Sequence, residues 1–193
     1  MTLLGNGLFA AGHSEDALSV EEAKVSLLQR LIVPERVVLA AQSNLATTYQ
    51  KLGRLEEAIH VLRDVYAGYL KLAGEDDPKT IAAAINYAWS LGDFMRYKEA
   101  KSLMHKTMAV ARRVLGESHD YTLRTRCLYA MALYNDDGST LDNLREAVTT
   151  LEETQRIARR VFGKSHPRVA NMERALRRAR ATLRACETPP SSA

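Results

Sequence analysis

Residues 41–74 read AQSNLATTYQKLGRLEEAIHVLRDVYAGYLKLAG, and several landmarks of this stretch return later in the chain. Three of them recur 42 residues downstream: Asn44 as Asn86, Glu57-Ala58 as Glu99-Ala100, and Gly74 as Gly116. Because three unrelated landmarks share one offset, the sequence predicts an internal structural repeat.

The composition of the 193-residue chain is that of a helical protein. Ala, Leu, Arg and Glu are abundant, and all four favour helix over the other regular structures. The chain has only 5 prolines, and the alternation of apolar and polar residues that marks strands is hard to find. Hydrophobic residues make up 46% and charged residues 26%, which is ordinary for a globular protein. We therefore expect an all-α fold.

Charge and cysteine content narrow the functional classes. The net charge of +4 favours an acidic partner but is too small to indicate nucleic acid. No apolar run approaches the roughly 20 residues that cross a bilayer, so no membrane association is expected. Cys127 and Cys186 match no metal-ligand spacing and are interpreted as reduced thiols of a cytoplasmic protein.

Each complete repeat is predicted to contain two helices. In the first, residues 35–51 form one helix, Gly53 lies in the turn, and residues 55–72 form the second. In the third repeat, Glu146-Ala147 and Gly163 follow their counterparts by 47 residues rather than 42. Five residues are therefore inserted between Leu133 and Glu146, and we expect them to lengthen the loop.

The chain is thereby divided into six segments. They are a partial N-terminal repeat at 1–32, repeat 1 at 33–74, repeat 2 at 75–116, repeat 3 with the insertion at 117–163, a capping helix at 164–186 and a disordered tail at 187–193. The partial repeat is expected to present an uncovered apolar face, through which the chain could self-associate.

The repeat resembles the tetratricopeptide repeat. Its pattern NLAxxYxxxGxxxEA is matched by Asn44, Leu45, Ala46, Tyr49, Gly53, Glu57 and Ala58. The 42-residue period and the junctions LAGEDDPKT, LGESHDYTL and FGKSHPRVA are similar to those of the kinesin-light-chain type of this repeat. The resemblance implies a helical solenoid of antiparallel helix pairs, wound as a right-handed superhelix with a concave groove. It also implies that the junction histidines His119 and His166 cap helices or pack there.

The resemblance further implies that the first helix of each repeat lines a groove for an extended peptide. Asn44 and Asn86 occupy the positions that bond the peptide backbone, whereas the equivalent positions in the later repeats carry Leu128 and Ala175. The alternative is that both asparagines cap or bridge neighbouring helices. The other expected lining residues are Ser43, Thr47, Gln50, Lys51, Ile85, Trp89, Asp93, Arg124, Cys127, Met131, Arg174 and Arg178.

Two kinds of lining residue have a second interpretation. Trp89, the only tryptophan, either anchors a partner or packs between repeats. The arginines either grip acidic side chains or form a solvated basic helix. No catalytic set, metal ligands or phosphate-binding loop is found, so we expect a non-enzymatic protein-binding module without cofactors. The alternative function is that of a structural scaffold segment.

Overall fold

A computed structural model describes residues 14–187, which fold into eight helices joined by short turns. In chain order the helices are α1 Ser14–Arg30, α2 Glu35–Lys51, α3 Leu55–Ala73, α4 Pro78–Asp93, α5 Tyr97–Leu115, α6 Asp120–Asn135, α7 Leu141–Phe162 and α8 Pro167–Glu187. The described residues contain no strand, so the expectation of an all-α helical repeat is confirmed. Residues 1–13 of the predicted partial repeat and residues 188–193 of the predicted tail lie outside the described residues.

The described helices belong to two compact units, divided between Phe94 and Met95. In the first unit, α1 packs against α2, α2 against α3, and α3 against α4. In the second unit, α5 to α8 do the same, and α6 also contacts α8. Each unit therefore consists of consecutive helix pairs around its own buried residues.

Equivalent residues form the core of each second helix. A small residue lies near the start, where Ala58, Ala100 and Ala147 are buried in α3, α5 and α7. One turn later the buried positions carry Leu62, Met104 and Leu151. This three- to four-residue spacing places one apolar stripe of the helix against its neighbours.

Each second helix ends on a glycine in the left-handed region. Gly74, Gly116 and Gly163 have φ angles of 79°, 85° and 83°. Their backbone N–H groups donate to Leu70, Arg112 and Arg159, which satisfies a carbonyl at the helix end. A residue with a Cβ is strained at this φ, so glycine sets where each second helix stops.

A side chain then caps the helix that follows each glycine. The Asp77 carboxylate accepts from the Lys79 N–H at 2.7 Å. His119 Nδ1 accepts from the Tyr121 N–H at 3.1 Å, and His166 Nδ1 accepts from the Arg168 N–H at 3.2 Å. The expectation that the junction histidines cap helices is therefore confirmed, and both rings are engaged in structure.

The five inserted residues of the third repeat do not all enter the loop. The α6–α7 connection has five residues, against three between α4 and α5, while α7 has 22 residues against 19 in α5. Two inserted residues therefore lengthen the loop and three extend the N-terminus of α7. The expectation of a purely longer loop is corrected because Thr140 caps α7, accepting from the Asn143 N–H at 3.2 Å, and Asp142 suits the first turn.

The end of the chain also differs from expectation. Glu187, assigned to the disordered tail, is the last residue of α8. Its carboxylate accepts from Arg145 of α7 at 3.2 Å, which ties the end of α8 to the preceding helix.

One buried arginine joins helices α6 and α7. Arg126 is 8% exposed, and its Nε donates to Thr154 Oγ1 at 3.1 Å. Its two other nitrogens donate to Glu117 at 3.1 Å and to Glu153 at 2.5 Å. Because every arm of the guanidinium is used internally, Arg126 stabilises the second unit and is not available to a ligand.

We predict opposite effects of alanine at two glycines. Gly74→Ala places a Cβ at positive φ and should cost about 1–2 kcal/mol. The control, Gly92→Ala, lies inside α4 with open space around its Cβ, so the substitution should be neutral or stabilise by up to about 1 kcal/mol. Urea unfolding followed by circular dichroism checks both, and equal midpoints for the two variants would contradict the role given to Gly74.

Candidate functional site

Asn44 and Asn86 occupy equivalent positions on the two first helices of the first unit. Asn44 lies on α2 and Asn86 on α4, and each is half-buried. Within the described part of the chain, neither side-chain amide has a hydrogen-bond partner, so the alternative role as a cap or bridge is not seen. Each amide therefore keeps one donor group and one acceptor group for another molecule.

The neighbours of Asn44 on α2 are polar. Ser43 and Thr47 are half-buried, and the Thr47 hydroxyl donates to the Ser43 carbonyl at 3.1 Å. Gln50 is half-buried, and Lys51 is exposed at the end of the helix. Helical spacing places Asn44, Thr47 and Lys51 along one stripe of α2.

Ile85 is the expected lining residue that the structure contradicts. It is 0% exposed, in the same core stripe of α4 as the buried residues Ile81 and Ala88. Adjacent helical residues are rotated by about 100°, so Ile85 points into the core while Asn86 lies at its edge. Ile85 stabilises the helix packing and contributes no surface.

Trp89 and Asp93 extend the stripe that begins at Asn86. Trp89 is 49% exposed, and its indole interacts with the Asp93 carboxyl. Partial burial raises the pKa of Asp93, and the hydrogen bond from Trp89 opposes that shift. The stripe thus combines an amide, an exposed aromatic ring and a carboxylate.

In the second unit, the expected residues lie on α6 and α8. Arg124, Cys127 and Met131 of α6 are half-buried, whereas Arg174 and Arg178 of α8 are exposed. The Arg124 guanidinium lies 6.0 Å from the centre of the Tyr121 ring. An ion pair between Arg168 and Asp120 joins the first turns of the two helices.

The charge around Arg124 is not fully balanced. Burial lowers the pKa of Arg124, and the neighbouring Arg168 lowers it further, while Asp120 acts in the opposite direction. Because Asp120 already pairs with Arg168, the local field is positive and favours an anionic group.

The two cysteines differ in their surroundings. Burial raises the pKa of the Cys127 thiol to about 12, whereas Cys186 is exposed near the end of α8. Cys127 is therefore protonated over the physiological range.

Metal ligands and membrane spans were not expected from the sequence. Among residues 14–187, no group of three or more His, Cys, Asp and Glu side chains is arranged to hold a metal ion. None of the helices described there is both long and apolar enough to cross a bilayer.

Sequence reasoning missed two charged features. One is the Arg126 network, which joins residues 9 to 28 positions apart. The other is a lysine-lined cavity beside the inserted loop. The insertion itself was the available signal for the cavity, whereas nothing local in the sequence distinguishes Arg126 from the exposed arginines.

The fold and its repeated helix pairs resemble those of tetratricopeptide-repeat proteins. The tetratricopeptide-repeat family pattern matches residues 37–100, and a second pattern of the same description matches residues 80–121. Such repeats indicate a protein-interaction or scaffold module. A comparison with curated proteins gives no match.

Solved structures with this fold include kinesin-light-chain repeats. One crystal structure of nearly identical TPR-like repeats, from a Podosopora anserina protein described as a kinesin light chain, has 23% identity and a TM-score of 0.78, covering 95% of this chain and 85% of that chain. A second structure of those repeats has 22% identity and a TM-score of 0.70, covering 98% and 94%. BtubC (BKLC) from P. vanneervenii has 16% identity and a TM-score of 0.72, covering 98% and 82%. These likenesses confirm the fold that the junction sequences predicted.

We predict that the two thiols react at very different rates. At mildly alkaline pH, below the pKa of Cys127, a disulfide reagent such as DTNB should label Cys186 much faster than Cys127, because the thiolate is the reacting form. Cys186→Ser should remove the fast phase and Cys127→Ser the slow one. Two equally fast thiols in the native protein would contradict the raised pKa of Cys127.

Proposed function

We propose that this chain is a non-catalytic protein-interaction module whose first-helix faces bind an extended acidic peptide. By first-helix faces we mean the stripe of Asn44, Asn86 and Trp89 in the first unit and that of Arg124 and Arg178 in the second. The observation that carries the proposal is the pair of unbonded amides at equivalent positions of α2 and α4.

An amide side chain suits a ligand that is recognised through its backbone. It offers a donor and an acceptor together, so it can pair with a peptide N–H and C=O whatever the side chains are. The exposed ring of Trp89 adds apolar area beside these polar groups, which is a common composition for a binding hot spot.

The preference for an acidic peptide rests on the second unit. Arg174 and Arg178 are exposed on α8, and Arg124 lies in a positive field that Asp120 does not neutralise. Arginine forms paired hydrogen bonds with carboxylates, so aspartate and glutamate are the side chains that this face suits best.

We predict that removing both amides weakens peptide binding. Asn44→Ala with Asn86→Ala should lower affinity about five- to a hundredfold, since each lost hydrogen bond is worth about 0.5–1.5 kcal/mol. The control is Gln29→Ala, which removes an exposed amide from α1. The measurement is fluorescence anisotropy with a labelled pool of glutamate-rich peptides and with the same pool carrying glutamine.

Three outcomes of that experiment decide the proposal. We expect the helicity of the double variant to equal that of the wild type. We also expect the glutamate pool to bind more tightly than the glutamine pool, and added salt to reduce this difference. Equal affinities for the double variant and the wild type would remove the two asparagines from the site. Equal binding of both pools would remove the acidic preference.

A second candidate function is a self-associating scaffold segment. Leu27 is 57% exposed and Leu31 is 51% exposed, and Ile32 beside them is fully exposed. These three residues form an apolar patch around the end of α1, and burying apolar surface is the general driving force for association.

We predict the outcome of a concentration series in multi-angle light scattering. If the patch mediates association, the mean mass should rise with concentration, and Leu27→Ser with Leu31→Ser should abolish the rise. Leu141→Ser, an exposed leucine at the start of α7, is the control and should leave the mass unchanged. A wild-type protein that is monomeric throughout would exclude this alternative.

A further inference from the structure

A basic cavity lies in the second unit between α5 and the segment that contains the insertion. Its volume is about 470 Å³, and α5 contributes Lys98, Lys101, His105 and Lys106 to its lining. The opposite wall includes Asp136, from the connection between α6 and α7. We call this the lysine cavity. Its volume lies within the range typical of ligand sites.

The cations of the lysine cavity lack internal counter-ions. In the part of the chain that the structure describes, Lys98, Lys101 and Lys106 form no ion pair. Asp136 is the one acidic residue among the described lining residues. Three ammonium groups around one concave surface raise the local potential and attract anions.

The wall opposite the lysines is held in place by its own hydrogen bonds. The Ser139 N–H donates to the Asp136 carbonyl at 2.9 Å, and the Ser139 hydroxyl donates to the Leu133 carbonyl at 2.6 Å. Thr140 then caps α7, and Asn143 in the first turn of that helix lines the cavity. The positive end of the 22-residue α7 dipole therefore lies at the same site.

The insertion of the third repeat builds this wall. The matching α4–α5 connection is two residues shorter, and α5 lacks the three residues that extend the start of α7. The extra residues thus form one side of the lysine cavity, while α5 supplies the charge.

We propose that the lysine cavity binds the phosphate group of a phosphorylated side chain in a partner protein. A phosphate monoester carries close to two negative charges and three acceptor oxygens, which several ammonium groups can satisfy together. Lysine acts as a point charge without the planar fork that arginine offers to carboxylates, so the lining suits a tetrahedral dianion. A protein source of the phosphate agrees with a chain made of interaction repeats.

The proposed phosphate site is separate from the first-helix faces. Its cations come from a second helix, α5, and from none of the residues assigned to peptide binding. Loss of one activity should therefore leave the other unchanged, and the two proposals can fail independently.

The test uses the full chain and a fluorescein-labelled degenerate peptide pool with one central phosphoserine. Lys98→Gln, Lys101→Gln and Lys106→Gln together should weaken binding at least about tenfold, given the usual strength of charge-assisted hydrogen bonds. The matched control removes three exposed lysines elsewhere through Lys71→Gln, Lys79→Gln and Lys164→Gln, and it should bind like the wild type. Circular dichroism checks that both variants are folded.

A gain-of-function variant makes the test independent of lost stability. Asp136→Asn removes the acidic group of the lining and keeps an oxygen for the Gly138 N–H, so it should tighten phosphopeptide binding several-fold. Inorganic phosphate should compete for the site.

Four results would overturn the proposal. They are equal binding of the unphosphorylated pool, equal losses in the control triple variant, no effect of Asp136→Asn, and tighter binding of duplex DNA or phosphatidylserine vesicles that depends on the same lysines. The last result would assign the cavity to a different source of phosphate.

Discussion

The architecture depends on a backbone constraint that recurs at the end of the second helix of each complete repeat. A helix that must reverse direction within a few residues needs a position where the chain can turn into the left-handed region at little cost. Gly74, Gly116 and Gly163 supply it, and a side-chain cap starts the next helix three residues later. The stop and the start together determine where each helix pair begins, and so which side chains meet in the core.

Because these signals are local, most of the fold could be predicted from the sequence. The expected helix at 35–51 coincides with α2, and the expected helix at 55–72 ends one residue before α3 does. The capping role of His119 and His166 was likewise predictable, since it depends on residues two positions away. Asn44 and Asn86 were correctly placed on first helices, because residues separated by the 42-residue repeat length take equivalent positions in successive repeats.

The features that could not be predicted depend on rotation about a helix or on contacts between distant residues. Ile85 was expected to line the same surface as its neighbour Asn86. One residue along a helix is a rotation of about 100°, and this rotation places Ile85 in the core and Asn86 at its edge. Arg126 was indistinguishable in sequence from the exposed arginines, because its partners Glu153 and Thr154 belong to the next helix. The lysines of α5 come to share one cavity only when the inserted segment is folded opposite them.

The three added residues of α7, 141–143, precede the buried stripe that starts at Leu144, and downstream of Ala147 α7 and α5 have equal lengths. The added length therefore does not rotate or shift the buried stripe relative to the neighbouring helices. The new residues lie outside the core, so the core packing does not change. Residues can therefore be added at the start of α7 without a change in the packing of the core. An array of such repeats can accumulate new surface chemistry, one unit at a time, without rearranging its interior.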